Sequence, residues 1–175
     1  MQIETERKFL VLDDAYKAQA VESHRIRQGY IAHDSGRSVR VRIRDDKGFL
    51  TIKGPFIGEI GRPEWEKEIS LQEAEDLFLL CKPGTVDKTR WIVPIDSFAT
   101  LGMTGVVPEV GMTGMAHCFE VDEFHGENEG LVLAEIELAD AGESFEKPSW
   151  LGREVTDDER YYNGYLARNP FTRWP

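Results

Sequence analysis

The chain has 175 residues, of which 41% are hydrophobic and 30% are charged, so it is predicted to fold as one globular domain over residues 1–175. Its formal net charge is −11, which argues against nucleic-acid binding through the overall field but leaves room for a local basic pocket that holds a small polyanion. The apolar runs are too short to span a membrane and the acidic N-terminus is unlike a signal peptide, so we expect a cytoplasmic protein without a membrane partner.

The first predicted strand, residues 3–11, carries charge along one of its faces. Because successive side chains of a strand point to opposite sides, Glu4, Glu6 and Lys8 form a row there. On a single half-buried strand such a row would simply face water. The pattern becomes informative because it recurs on strand after strand further along the chain.

Seven more strand candidates follow, after a short helix that is predicted from Asp13 or Asp14 to about Ser23. These strands are predicted at residues 24–31, 38–44, 49–53, 62–69, 85–93, 119–124 and 131–138. The strand at 38–44 is the clearest, since arginines alternate with valine and isoleucine there without a fault. Residues 45–48 form a good hairpin connection to the next strand, with Gly48 suited to a positive φ.

Two further helices are predicted from capping boxes. One starts at Ser70 and carries an apolar stripe as far as Cys81, and the other starts at Thr156 and runs to about Arg168. Between them, residues 96–117 show neither helical nor strand periodicity and are predicted to form a long loop. The loop is interpreted as a lid, a partner surface or a tolerated insertion.

Eight short strands joined mostly by hairpins predict an α+β fold built on an antiparallel sheet, and closure into a barrel would remove the edges of that sheet. If helices and loops cover the apolar faces, the charged faces turn inward and line a polar tunnel. Two other interpretations stay open at this point. The charges could be solvated on an ordinary sheet, or they could form an internal salt-bridge network without a substrate.

The residue types on the charged faces favour a tunnel that binds a ligand. Its acidic groups would be Glu4, Glu6, Glu64, Glu66, Glu120, Asp122, Glu135 and Glu137, and its basic groups would be Lys8, Arg40, Arg42, Lys53, Lys88 and Arg90. So many charges of both signs need partners, because isolated charges are costly to remove from water. Carboxylates without His or Cys suit a hard cation such as Mg²⁺ or Mn²⁺, whereas Arg and Lys suit phosphate oxygens. A metal beside a polyphosphate, with little water, is what phosphoryl transfer requires.

An ordered set of motifs runs nearly from end to end of the chain. It comprises Glu4-x-Glu6-x-Lys8, Val39-Arg40-Val41-Arg42, Thr51-Ile52-Lys53, Arg62-Pro63-Glu64-Trp65-Glu66, Lys88-Thr89-Arg90, Glu120-Val121-Asp122, Glu135-Ile136-Glu137 and the tail from Trp150 to Thr156. The set resembles the CYTH superfamily, the triphosphate tunnel metalloenzymes, which include tripolyphosphatases, thiamine triphosphatases, fungal RNA triphosphatases and class IV adenylate cyclases. One Glu-x-Glu-x-Lys would be weak, but the ordered set is specific.

The resemblance implies an eight-stranded, closed antiparallel β-barrel with a charged lumen and a few flanking helices, which binds a triphosphate with Mg²⁺ or Mn²⁺. The implied metal ligands are Glu4, Glu6 and one or both of Glu135 and Glu137, with Glu120 and Asp122 as further candidates. The implied substrate ligands are Lys8, Arg40, Arg42, Lys53, Lys88 and Arg90, with Arg160 at one mouth of the tunnel and Tyr30 as a weaker candidate. The implied catalytic residues are Glu4, Glu6, Lys8, Glu64 and Glu66, and the last two, like Glu120 and Asp122, could orient basic residues, position water or hold a second metal.

The expected function is therefore metal-dependent hydrolysis of inorganic triphosphate to pyrophosphate and phosphate, similar to that of bacterial tripolyphosphatases. One alternative keeps the site but changes the reaction, as in a class IV adenylate cyclase or another organic triphosphatase. A second alternative is a polyphosphate-binding module without catalysis. The expected partner is a small-molecule triphosphate rather than a nucleic acid, and the oligomeric state stays open.

Overall fold

One antiparallel sheet dominates the computed structural model, which describes residues 2–34, 36–55, 57, 61–95, 117–139 and 143–175, with residues 2–5 and 61–62 described by their backbone alone. The strands are β1 (Gln2–Val11), β2 (Glu22–Asp34), β3 (Arg37–Arg44), β4 (Lys47–Lys53), β5 (Gly61–Ile69), β6 (Thr85–Pro94), β7 (Cys118–His125), β8 (Val132–Glu137) and β9 (Leu151–Glu154). The α-helices are α1 (Tyr16–Gln19), α2 (Leu71–Phe78) and α3 (Asn163–Leu166), and short 3₁₀-helices lie at Gly126–Asn128, Glu159–Tyr161 and Phe171–Arg173.

The strand order across the sheet is β5-β4-β3-β2-β6-β7-β8-β1-β9, with antiparallel pairs throughout the described part of the chain. The prediction of an antiparallel sheet with few helices is confirmed. The predicted number of eight strands is wrong, because β9 pairs with the C-terminal end of β1 and makes nine. The N-terminal end of β1 pairs in addition with β5, from Gln2 opposite Glu64 to Thr5 opposite Gly61, before β1 continues along β8.

Helix α2 covers the apolar side of β3, where Val41 and Ile43 form a buried cluster with Ala74. The predicted capping box is confirmed, since the Ser70 hydroxyl accepts from the Glu73 amide and the Glu73 carboxylate accepts from the Ser70 amide. These reciprocal hydrogen bonds satisfy two amides that the first turn of a helix otherwise leaves unpaired. The helix thus begins where the sequence predicts, although it ends at Phe78 and not at Cys81.

The β3–β4 hairpin lies where it was predicted, but its strained residue is a different one. The positive φ, 53°, belongs to Asp45, whereas Gly48 already lies inside β4. A Cβ atom at Gly48 would come 2.6 Å from the Cβ of Ala74. Gly48 is therefore required by the close approach of α2 to the sheet and not by the turn.

A larger core lies on the apolar side of β1, β7 and β8. Its buried side chains include Phe9, Phe119, Val121, Ile136 and Trp150. The helix predicted up to Ser23 is wrong in extent, because α1 is a single turn. The chain already joins the sheet at Glu22, which pairs with Ile92.

The predicted C-terminal helix is also wrong, because a 3₁₀-helix and the single turn α3 replace it. The hydroxyl of Thr156, which was expected to cap that helix, accepts from the Lys8 amide of β1 at 3.0 Å and donates to Glu154. The Thr156 hydroxyl is therefore hydrogen bonded to the sheet and does not cap a helix. The segment nevertheless stays buried, since Val155, Tyr161 and Leu166 belong to one apolar cluster.

The loop predicted at 96–117 lies outside the described residues except for His117. Within the described residues, helices of the length and apolar character needed to cross a bilayer are absent.

Candidate active site

The register of the sheet places the predicted charged residues on one side, which we call the charged face. Residues directly opposite each other in an antiparallel pair point to the same side. The cross-strand pairs on this side are Glu6 with Glu137, Lys8 with Glu135, Glu120 with Glu135, Arg90 with Asp122, Arg40 with Thr51, Thr51 with Glu66, and Lys53 with Glu64. The alternation seen in separate stretches of sequence is thus assembled into one continuous surface.

Asp122 of β7 is the buried centre of one half of the charged face. Its carboxylate accepts from Arg90 Nε at 2.7 Å, from Arg90 Nη2 at 2.6 Å and from Lys88 Nζ at 2.5 Å. Arg90 also donates to Glu135 at 2.9 Å and pairs with Glu120. The two-pronged contact fixes the plane of the guanidinium, which a single hydrogen bond would not do.

Lys8 of β1 is equally enclosed, with its side chain 2% exposed. Its ammonium forms an ion pair with Glu135 and lies 3.6 Å from Glu6 Oε1. The ring of Tyr162 lies on another side, with its centroid 5.6 Å from Nζ. Glu135 therefore links Lys8 to Arg90 through its two oxygens.

Arg40 and Arg42 of β3 converge on the carboxylate of Glu66. Arg42 Nη2 donates to it at 3.0 Å, and Arg40 Nη2 lies 3.6 Å from the same oxygen. Thr51 lies between them, since it donates to Glu66 at 2.5 Å and accepts from Arg40 at 3.2 Å. Nearby, Lys53 pairs with Glu64 at 2.5 Å.

Two donors of this arginine pair are buried without an acceptor. The Nε atoms of Arg40 and Arg42 have no hydrogen-bond partner among the described residues. Their side chains are only 11% and 14% exposed. Buried polar groups in proteins are normally hydrogen bonded, so a pair of buried donors without acceptors on one face calls for a ligand that brings oxygens.

Burial and neighbouring charges lower the pKa of two cations of the charged face and raise the pKa of a third. Burial lowers the pKa of Lys88 to about 8, aided by the nearby Arg90 and only partly offset by Asp122. Burial and the neighbouring Arg40 lower the pKa of Arg42 to about 10. Burial also disfavours the charge of Lys8, but Glu135 outweighs it and raises the pKa of this lysine.

Three carboxylates of the charged face, those of Asp122, Glu135 and Glu66, are held ionised. Burial acts to raise the pKa of Asp122 and Glu135, but the adjacent Arg90, Lys88 and Lys8 outweigh it and lower both pKa values. Burial acts to raise the pKa of Glu66 as well, but Arg42, Thr51, Arg40 and Lys53 together outweigh it and lower that pKa. The face thus carries full charges of both signs at neutral pH.

Comparison with known proteins agrees with this geometry. The family model of the CYTH domain matches residues 2–164. The chain belongs to the CYTH domain family. It is 45% identical over 169 residues to an inorganic triphosphatase of Acetivibrio thermocellus, covering 96% of this chain and 95% of the relative. It is 32% identical over 168 residues to an inorganic triphosphatase of Nitrosomonas europaea, covering 94% and 96% of the two chains.

Two solved structures share the fold. The crystal structure of the inorganic triphosphatase NE1496 superposes with a TM-score of 0.61 at 29% identity, covering 94% of this chain and 97% of that chain. A protein of Pyrococcus horikoshii, PH1012, superposes with a TM-score of 0.55 at 21% identity over 79% of this chain and 80% of its own. At that identity the second likeness concerns the fold alone.

Some residues expected from the CYTH resemblance lie apart from the buried cluster. The Arg160 side chain is 56% exposed and pairs with Asp158 at 2.6 Å. Glu137 is exposed at the end of β8, opposite Glu6. The side chain of Glu4 lies outside the described part of the structure. Tyr30 is buried on the charged face, where its hydroxyl accepts from Gln28 at 3.2 Å.

Sequence reasoning missed several residues that contact the cations of this CYTH domain. Thr51 is one, although its position between Leu50 and Ile52 in an alternating strand was a usable signal. Tyr162 and Asn163 are the others. The helical pattern predicted around them does not indicate that they contact the lysines. Asn163 Oδ1 accepts from Lys88 Nζ at 3.3 Å.

Proposed function

We propose that the protein is a divalent-metal-dependent triphosphatase that hydrolyses inorganic triphosphate to pyrophosphate and phosphate. The observation that carries this proposal is the set of enclosed cations on one face of the sheet, with two buried arginine donors that lack acceptors among the described residues. The cations are Lys8, Arg40, Arg42, Lys53, Lys88 and Arg90, whose side chains are 2–14% exposed. Relatives that are 45% and 32% identical carry the name inorganic triphosphatase, which supports the same reaction.

The charged face is proposed to line a tunnel within a single domain over residues 1–175, with the long loop at 96–117 as part of it. The pairing of β1 with both β5 and β8 supports closure, because these pairings connect eight strands in a ring. β9 lies outside that ring and, among the described strands, pairs with β1 alone. Closure turns the charged face inward and the apolar clusters around Phe9 and Val41 outward.

The cations are proposed to bind the phosphate chain. Arg40 and Arg42 would donate to phosphate oxygens through groups that the described residues leave without acceptors, and a guanidinium can bind two oxygens at once. Lys8, Lys53, Lys88 and Arg90 would neutralise the remaining charge. In the reaction a water oxygen bonds to the terminal phosphorus, the bridging P–O bond breaks, and pyrophosphate leaves with its electron pair, while the new phosphate keeps one proton of the water and the other passes to solvent.

A divalent cation fits the outer part of the charged face. Glu6 lies directly opposite Glu137, so two carboxylates project from the same side of the sheet, close enough to share one cation. Both are more exposed than the inner carboxylates, which leaves room for water and phosphate oxygens to complete the shell that Mg²⁺ prefers. Among the described side chains no three acidic, His or Cys groups converge on one point, and the proposed third carboxylate, that of Glu4, lies outside them. When bound, Mg²⁺ or Mn²⁺ would supply charge neutralisation at the phosphates.

The inner carboxylates are proposed to orient the cations. Asp122 and Glu135 are hydrogen bonded to Lys8, Lys88 and Arg90, so they suit this role better than metal binding. Glu66 holds the arginine pair, and Glu64 holds Lys53. Glu4, Glu6 and Glu137 then remain as the proposed metal ligands, with Glu120 beside Arg90 as a candidate for a second metal.

Phosphate release from inorganic tripolyphosphate, measured in parallel with ATP and with or without Mg²⁺ or Mn²⁺, tests the proposal. Fast metal-dependent release from tripolyphosphate with little from ATP is expected. Conversion of ATP to cyclic AMP and pyrophosphate would instead identify a cyclase that uses the same face. Tight tripolyphosphate binding without turnover under any metal would contradict an enzyme and leave a binding module.

A further inference from the structure

The segment 155–168 closes one end of the charged face, where the face becomes apolar. Phe124 lies opposite Lys88 in the β6–β7 pair, and its ring is 5.5 Å from the ammonium. Side chains of the sheet and of the segment form one buried cluster at this end. The cluster includes Val86, Phe124 and Leu133 from the sheet and Val155, Tyr161 and Leu166 from the segment. Apolar packing therefore fixes the segment beneath the cations.

Two consecutive residues of this segment reach two lysines on strands that are not neighbours. The Tyr162 ring lies 5.6 Å from Lys8 Nζ, and its hydroxyl donates to the Thr156 carbonyl at 2.8 Å. The Asn163 side-chain oxygen accepts from Lys88 Nζ at 3.3 Å. β7 and β8 separate β6 from β1 in the sheet, so no direct strand pairing sets the position of one lysine relative to the other.

A lysine needs such support more than an arginine does. Its ammonium is a point charge on a flexible stem, and its three donors rotate together. Asp122 and Asn163 accept two of the donors of Lys88, which directs the third. The ring face of Tyr162 attracts the ammonium of Lys8 from the side of the segment, while Glu135 holds it from β8.

We infer that Tyr162 and Asn163 are positioning residues that hold Lys8 and Lys88 at the spacing needed to bind a triphosphate. This inference rests on the proposed function, because it assigns both lysines to the phosphate chain. It makes the C-terminal segment part of the binding site, acting through the lysines and not through contact with the reacting atoms.

Calorimetric binding of inorganic tripolyphosphate without metal, together with KM and kcat with metal, tests the inference. Asn163→Leu keeps the size of the side chain but removes the acceptor, and a hydrogen bond to a charged group is strong enough that about tenfold weaker binding is expected. KM should rise by a similar factor while kcat stays within about twofold, because the lysines bind substrate and transition state alike. Tyr162→Leu should behave similarly, whereas Tyr162→Phe, which keeps the ring, should bind like the wild type.

The matched control is Asn169→Leu, since Asn169 is exposed directly after the segment and hydrogen bonds through its backbone amide and carbonyl. It should leave binding unchanged. Melting temperatures separate positioning from folding: weaker binding by Asn163→Leu at an unchanged melting temperature supports the inference. Wild-type affinity in both Asn163→Leu and Tyr162→Leu, or equal losses in Tyr162→Phe and Tyr162→Leu, would overturn it. A wild-type protein that does not bind tripolyphosphate would contradict the proposed function instead.

Discussion

Replacing Asp122 with asparagine tests whether the buried cations depend on a single carboxylate. Asp122 is fully buried, and it accepts two hydrogen bonds from Arg90 and one from Lys88. Asparagine keeps the shape but removes the charge, so Lys88 loses its ion-pair partner and Arg90 loses one of three carboxylates. The charge of Lys88 is destabilised more than that of Arg90, because Arg90 keeps Glu120 and Glu135 as partners.

Breaking a buried ion pair by removing one partner costs about 3–5 kcal/mol, because the remaining charge is left without compensation. In a domain of this length each kcal/mol corresponds to roughly 2–4 °C of melting temperature, so Asp122→Asn should melt about 6–20 °C below the wild type. Thermal and urea unfolding, followed by circular dichroism without metal, measure this difference.

Asp158→Asn is the matched control, because Asp158 forms an ion pair of similar length, 2.6 Å, with the exposed Arg160. Ion pairs at the surface contribute about 0–1 kcal/mol, so the control should unfold almost like the wild type. If Asp122→Asn lost no more stability than Asp158→Asn, the view that this carboxylate holds the cation cluster together would be wrong.

Three further predictions concern activity and pH. Glu6→Ala should abolish metal-dependent hydrolysis at limiting metal while the fold persists, since Glu6 is a partly exposed proposed ligand of the metal. Arg40→Ala should weaken tripolyphosphate binding, and Arg40→Lys should not restore it, because a point charge cannot reproduce a two-pronged contact. Stability should fall as the pH drops below the ordinary pKa of a glutamate, 4.5, because the folded pKa of Glu135 lies lower and the unfolded chain then binds more protons. Glu135→Gln, followed by urea unfolding from pH 3 to 7, should show a shallower acid decline than the wild type.

The two predictions on activity have controls that the chain supplies. Glu127→Ala and Arg25→Lys change exposed ion-paired residues and should leave turnover intact. Wild-type activity of Glu6→Ala at limiting metal would remove Glu6 from the proposed ligands, and full recovery with Arg40→Lys would refute the two-pronged contact. An acid decline in Glu135→Gln as steep as that of the wild type would show that this carboxylate does not contribute to it.

The charged face was predictable because strand alternation is a local property. A period of two in the sequence places Arg40 and Arg42 on one side whatever their strand pairs with, and the register of the structure agrees. The hairpin after β3 was located for the same reason. The requirement for Gly48 was not, because Ala74 on another element imposes it.

The C-terminal part was predicted poorly because its structure depends on distant partners. β9 is four residues long, which is too short for its sequence to show the alternation that marks a strand. Its position is set by pairing with Phe9 and Val11. The local sequence predicts Thr156 as a helix cap, but its hydroxyl accepts a hydrogen bond from the backbone amide of Lys8, 148 residues away. The contacts of Tyr162 and Asn163 follow from this placement and were beyond a local pattern.

Strand β1 pairs with three other strands, and this affects how the chain folds during translation. β1 is synthesised first, yet its partners β5, β8 and β9 emerge later, and Lys8 meets Glu135 only across 127 residues of sequence. Contacts between residues so far apart in sequence form late in folding, because the long intervening chain must lose conformational entropy before they form. Until then the apolar side of β1, including Phe9, stays without its final partners. The apolar side of this strand is therefore exposed while the later strands are being made, and the two buried lysines come together only after β8 has emerged.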